Sequence, residues 1–528
     1  MKKIVCLLAA TIYILTVFSQ SNIDIQHYRF RVELNDNNDT VYGQAEMRLK
    51  FLQPANSFSF DLILQKNNGK GMKVDSITGA EVRDFMRFPD SVRVLTRKNF
   101  GANDTTSILI SYHGVPGDGL IISKNKYGHR TFFADNWPYR AHHWIPCVDN
   151  PADKAPVEFI VTAPSHYQVI SNGIKVEETD LPGNKRLTHW KEDVPLPTKV
   201  MVIGVADFAV NNLADTNCVA VSSWVFPENR EYGFYDYAPA REILAFFANY
   251  IGPYPFKKLA NVQSKTIFGG MENAGAIFYF ENSVTGRREE ESLMAHEIVH
   301  QWFGNMATEK SFTHLWLSEG FATYLTHLFI ESRYGTDSMN HEMKNDRETV
   351  IDFSRQAGRP VVDPATPHRQ LLNPNSYQKG GWVLHMLRRQ LGDSVFHLLI
   401  RTYYDTFKGI NADTEDLKAL AEKISGRKLN AFFLQWLYTA GQPDLSVQWK
   451  YLVKEKKLLV TVDQLQKNIL FNFPLEISII TSGKPNTQKL NVTKASEIFS
   501  ITIREKPLKL ELDPNTSLLF EATILEKK

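Results

Sequence analysis

The sequence predicts a multidomain α+β protein, and three changes of pattern carry that prediction. From residue 23 to about 225 apolar residues alternate with polar ones, from 227 to about 441 they recur at helical spacing, and after 443 the alternation returns. A period of two marks half-buried strands, and a period near 3.6 marks amphipathic helices. At 528 residues the chain is also too long for one core.

In the first region Tyr28, Phe30, Val32 and Leu34 alternate with polar residues, and Asp36-Asn37-Asn38-Asp39 supplies a turn. Phe58, Phe60 and Leu62 repeat the pattern, and 167–170 and 199–205 read as further strands. Residues 20–226 are therefore expected to form a large, mostly antiparallel β domain. Residues 227–441 form the helical domain, with its clearest helices over 237–250, 290–303, 315–334, 377–391 and 394–407. The stretch 261–280 between the first two reads as extended. Residues 442–528 predict a small antiparallel β-sandwich, because Leu458, Val460 and Val462, then Leu508, Leu510 and Leu512, alternate.

Composition narrows the class. With 43% hydrophobic and 22% charged residues the chain is ordinary for a globular protein, and a net charge of +2 argues against a dedicated nucleic-acid binder. Lys2 and Lys3 precede an apolar run, and Ser19, Gln20 and Ser21 follow it, so residues 1–19 read as a signal peptide and the protein as exported, periplasmic or secreted. No later stretch is apolar enough to span a bilayer. Cys147 and Cys218 would remain after cleavage, and two buried thiols are expected.

The chemistry centres on His296-Glu297-Ile298-Val299-His300, with Glu319 after eighteen intervening residues. Two histidines four apart share one face of a helix, so both imidazoles can reach one metal ion. A carboxylate from a second helix, Glu319, completes three ligands and leaves one position open, the arrangement of a catalytic zinc site. Glu297 lies between the histidines and is free to serve as general base. Leu293, Val299, Trp302 and Phe303 at helical spacing make the segment a buried helix. Glu289, Glu290 and Glu291 favour its start, and Gly304 its end.

The run His296-Glu297-Ile298-Val299-His300-Gln301-Trp302-Phe303-Gly304-Asn305, then Trp316-Leu317-Ser318-Glu319-Gly320-Phe321-Ala322, resembles the aminopeptidase N and leukotriene hydrolase family of zinc peptidases (gluzincin aminopeptidases). Gly269-Gly270-Met271-Glu272-Asn273 is close to that family's Gly-Ala-Met-Glu-Asn signature, and Tyr377-Gln378-Lys379-Gly380 is a third match in the family's order. The resemblance implies an N-terminal β saddle, a thermolysin-like catalytic domain and one Zn2+ per chain held by His296, His300 and Glu319. Many members continue into a large helical-repeat domain. This chain stops first, so a short form with a less enclosed site is expected.

The same resemblance assigns the substrate side. Glu272, helped by Glu319, captures the cationic α-amine and so sets the distance to the first peptide bond. Gly269 and Gly270 let a peptide lie alongside as a strand, with Met271 and Asn273 in the same binding segment. Phe268 occupies the position that lines the first side-chain pocket and is expected to favour neutral side chains. Tyr377 would donate its phenol to the developing oxyanion. Where relatives place a Gln or Glu near the amine, spacing gives Trp137, beside Asp135 and Asn136, and a Trp walls the pocket or packs in the core.

The expected activity is hydrolysis of N-terminal residues from peptides with a free N-terminus. A zinc endopeptidase sharing the metal site, or a peptide-binding protein that has lost catalysis, are the alternatives. Glu272 speaks against the first, and the complete His, Glu, His, Glu and Tyr set against the second.

Overall fold

A computed structural model describes residues 22–527 except 214, 217 and 468, so the signal-peptide segment 1–19 lies outside the described residues. The N-terminal region is β-rich. Its main sheet runs Ile174–Leu181, Lys185–Pro197, Lys154–Pro164, Ile23–Glu33, Val41–Phe51, Thr105–Val115, Gly71–Thr78. Alternation does the work expected of it: Tyr28, Phe30, Val32 and Leu34 are at most 2% exposed. One pairing is parallel, with Phe30 opposite Phe159, and the neighbouring one antiparallel, with Phe30 opposite Ala45. Two smaller sheets complete the region.

The strands Ala209–Asn212 and Ala220–Val225 leave that domain. They join Lys258–Ser264, Ala276–Phe280 and Gly270–Met271 in a five-stranded sheet that floors the helical domain. Sheet pairing thus crosses the expected boundary at 226. The helices of the catalytic region are α1 (Arg230–Asp236), α2 (Ala240–Tyr250), α3 (Glu291–Val299), α4 (Trp316–Tyr334), α5 (Thr336–Gln356), α6 (Gly380–Leu391), α7 (Asp393–Phe407), α8 (Thr414–Ser425) and α9 (Asn430–Leu437). α4 is the spine, with all residues from Trp316 to Ile330 buried. It lies close against α6: a Cβ at Gly320 would come within 2.9 Å of the Gly380 backbone.

Three expectations change. The helix drawn over 290–303 closes at Val299, because Gly304 at φ +116 turns the chain and Asn305 N–H donates back to the His300 carbonyl at 3.1 Å. Tyr377 precedes α6 in a widened π turn, Asn375–Lys379, rather than starting the helix. Leu508 is 75% exposed, since its strand begins at Lys509.

At the C-terminal end a four-stranded and a three-stranded sheet share one core, with Leu445, Val447, Leu458, Val460 and Val462 facing Leu475, Ile477 and Ile479. The strands Asp444–Leu452 and Glu521–Glu526 pair in parallel. This unit is tied to α5, where Arg347 pairs with Asp513 and donates to the Leu518 carbonyl at 2.7 Å. The N-terminal domain is tied to the catalytic one by a buried ion pair, Lys199 with Glu309, at 2.5 Å. Lys154 adds bonds to the Met306 and Ile410 carbonyls at 2.8 and 3.1 Å. Both thiols are free; Cys147 is buried as expected, but Cys218 is exposed, since it sits in a turn at φ 63. No helix among the described residues is long and apolar enough to cross a membrane.

Candidate metal centre and active site

α3 ends where the chemistry begins. His296 lies in its last turn and His300 caps it, so the two imidazoles are one turn apart. Glu319, in the first turn of α4, faces both. His296 Nε2 and His300 Nε2 are 3.1 Å apart, and Glu319 Oε2 lies 3.3 and 3.2 Å from them. Zinc bonds of about 2.0–2.1 Å in a tetrahedron require ligand–ligand edges of about 3.3 Å. The triangle therefore fits the ion.

The tautomer fits as well. His300 Nδ1–H donates to the Phe303 carbonyl at 3.0 Å, with Ser318 Oγ 3.2 Å away, which leaves the Nε2 lone pair for a cation. Gly304 is what allows this packing, since a Cβ there would run into Ser318 Oγ and the ring. Burial opposes charge on His300, yet Glu319 outweighs it and lifts the imidazole to about 10. Burial holds His296 below its usual value, with Glu319 opposing. Glu319 is itself buried, but the two imidazoles hold its carboxyl well below the usual carboxylate range. Among the described residues this is the group of three or more such side chains placed to hold a metal.

The three ligands line a cleft of about 690 Å³ together with Phe268, Gly269, Gly270, Met271, Glu272, Glu297 and Tyr377. Burial, opposed by His300 and reinforced by Glu272 and Glu319, pushes the Glu297 carboxyl well above its usual range. That carboxylate lies against the strand edge: a Cβ at Gly270 would overlap it. The second glycine of Gly269-Gly270 is thus required by the base, whereas Gly269 leaves room beside Leu293, 3.8 Å from where its Cβ would be.

Glu272 is held by its own backbone. Its carbonyl accepts from Gln301 Nε2 at 2.9 Å and Asn305 Nδ2 at 2.7 Å, while Gln301 Oε1 accepts from Gly275 N–H at 2.9 Å. Asn273, expected in the binding segment, does not line the cleft. It is fully buried, and its carbonyl accepts from Ala276 N–H at 3.0 Å in the turn to the next strand.

Tyr377 stacks on His296 with ring centres 5.9 Å apart and planes at 13°. Burial first, then Glu319, Glu272 and Glu297, push its phenol well above the usual value, so it stays a proton donor. A π turn is a common way to aim a functional side chain out of a helix end.

The N-terminal domain supplies Trp137, which both lines the cleft and is only 3% exposed. Its ring meets Phe268 edge-on at 6.1 Å and Phe312 at 5.6 Å. Behind these rings stand Arg140, 5.7 Å over Phe268, and Lys199, 5.6 Å over Phe312. Asp135 is occupied by Arg140, Thr266 and the Ile267 N–H, and Asn136 by the Thr198 and Met201 carbonyls. Neither lines the cleft, where Glu272, Glu297 and Glu319 supply the nearby carboxylates.

Sequence reasoning gave Gln301 and Asn305 no role, although both stand in the motif run. It also missed Thr323, Thr326, His327, Asp346 and Thr349, which line the far part of the cleft. The spacing of Thr323 and His327 from Glu319, four and eight residues along one helix, was the available signal.

A His-Glu-x-x-His helix, a distant glutamate ligand and a cleft between a β-rich and a helical domain define a metallopeptidase-type protein. The chain belongs to peptidase family M1: residues 25–200 match the peptidase M1 N-terminal domain and residues 235–436 the peptidase family M1 domain. It is 30% identical to aminopeptidase M1-C of Oryza sativa subsp. japonica over 59% of this chain and 37% of that one. It is 27% identical to probable aminopeptidase 2 of Sulfurisphaera tokodaii, over 75% and 52%. It is 24% identical to leucyl aminopeptidase of Saccharolobus solfataricus, over 82% and 58%. The chain thus spans about a third to a little over half the length of these curated relatives.

Proposed function

We propose that this chain is a zinc-dependent aminopeptidase, removing N-terminal residues from peptides that carry a free amine, and that it is exported. The observation that carries the reading is the placement of Glu272 in the same cleft as the His296, His300 and Glu319 triangle. A carboxylate there pairs with an α-ammonium and leaves room for one residue before the scissile bond.

His296, His300 and Glu319 would hold the zinc, which when bound supplies Lewis acidity and a water pKa near about 7. Glu297 takes the proton of the attacking water and delivers it to the leaving amine. Tyr377 donates its O–H to the oxygen on which negative charge develops, a contact typically worth about 10²–10³ in rate. Glu272 and Glu319 receive the ammonium, and Phe268 with Trp137 walls the first side chain.

Anilide substrates test the reading. Hydrolysis of Ala- and Leu-anilides is expected to exceed that of Arg-anilide, to stop with a chelator and to return with zinc, while an N-acetylated peptide survives. Internal cleavage of the blocked peptide would point to an endopeptidase instead. No hydrolysis of any substrate by zinc-replete protein would end the proposal. The basic-then-apolar start of the sequence supports export, and cell fractionation tests it.

A further inference from the structure

The cleft runs well beyond the metal triangle. Past Glu319, α4 presents Thr323, Thr326 and His327, and α5 faces them with Asp346 and Thr349. His327 Nε2 lies 2.8 Å from Asp346 Oδ2, and the two side chains are 8% and 15% exposed. Glu319 and His327 are eight residues apart, about 12 Å along a helix at about 1.5 Å per residue. An extended peptide advances about 3.3 Å per residue, so a substrate running along α4 comes level with this wall at about its fourth or fifth residue, within reach of a long side chain on the residues before. A long side chain on the second residue of a peptide also reaches toward it.

Glu272, Glu297, Glu319 and Asp346 line the cleft, and among the described residues no Lys or Arg does. The neighbouring guanidinium groups are committed elsewhere. Arg347, next to Asp346, turns to Asp513 and the Leu518 carbonyl, and Arg140 is held by Asp118 and Asp135. An imidazole carries at most one positive charge against its own carboxylate, so the His327–Asp346 pair never adds net positive charge. Among the described residues a carboxylate arriving at this end faces Asp346 and no Lys or Arg, and an ammonium or guanidinium finds an acceptor in a partly desolvated place.

We propose that Asp346, oriented by His327, is a specificity-determining residue of a downstream subsite that favours cationic side chains at the second to fourth residues of the substrate. The subsite rests on the aminopeptidase reading.

The test uses the zinc-loaded full chain and amidated pentapeptides of alanine carrying Lys or Glu at position two, three or four, with Ala-anilide alongside. At one position or more, kcat/KM for Lys is expected to exceed that for Glu by about threefold or more. Raised salt should shrink that ratio, and Asp346→Asn should bring it toward one. Equal Lys and Glu rates at all three positions, or a ratio that Asp346→Asn leaves intact, overturn the subsite while Ala-anilide cleavage keeps the aminopeptidase reading. No Ala-anilide cleavage overturns both. If Asp346→Asn fails to fold, the native chain's ratio at low and high salt decides, and a salt-insensitive ratio overturns the proposal.

Discussion

The Gln301 carboxamide donates to the Glu272 carbonyl at 2.9 Å, so the turn that ends the helix of His296 and His300 also fixes the segment that carries the Glu272 carboxylate. Gln301→Met removes that bond, leaving Asn305 as the remaining donor to the Glu272 carbonyl, and leaves the Gly275 N–H unpaired at about 1–3 kcal/mol. Zinc content should hold while KM for free-amine peptides rises about tenfold or more. An unchanged KM in a folded, zinc-loaded variant would free Glu272 from this support.

Gly270 and Glu297 cannot both keep their places if residue 270 gains a Cβ. Gly270→Ala is expected to lower kcat by about 10²-fold through displacement of the base, with the fold retained, since the clash is with a side chain and not with backbone. Circular dichroism and single-turnover rates would check this, and near-normal turnover would show that the carboxylate has room to move.

Glu297→Ala separates base from ligand. Zinc stoichiometry by atomic absorption should stay at one per chain while most activity disappears, because the ion's three protein partners are His296, His300 and Glu319. Loss of the ion would mean that Glu297 belongs to the ligand set.

Tyr377→Phe keeps the ring stacked on His296 and removes only the hydroxyl. A kcat lower by about 10²-fold or more is expected, with KM little altered. A two- or threefold effect would make the ring a packing element.

Asp153 gives a pH prediction far from the chemistry. Burial, opposed by the Ile25 N–H and reinforced by Asp24 and Asp61, raises its carboxyl to about 8. The folded state therefore holds the proton more tightly than the unfolded chain. That contribution to stability is complete below about pH 4 and is lost as pH rises toward 8. Asp153→Asn should raise Tm more at pH 8.5 than at pH 5, and a gain that does not vary with pH would contradict the assignment.

What the sequence made legible is what local geometry dictates. His296 and His300 meet because four residues are one helical turn, and the Phe30 strand faces inward because its side chains alternate. The roles of Gln301 and Asn305 were hidden because their partner lies 29 and 33 residues earlier, across the sheet edge. α5 escaped notice for a different reason: only Met339, Met343 and Val350 of its 21 residues are buried, too few to mark a period. The same polarity concealed Asp346. Asn273 was misplaced because a motif groups neighbours in sequence, whereas the turn to Ala276 takes that residue out of the cleft.

The Lys199–Glu309 pair spans the seam between the β-rich and helical domains with side chains at most 2% exposed. Leaving one charge of such a pair buried without the other typically costs about 3–5 kcal/mol, so a substitution at either end alone loosens the joint between the two domains.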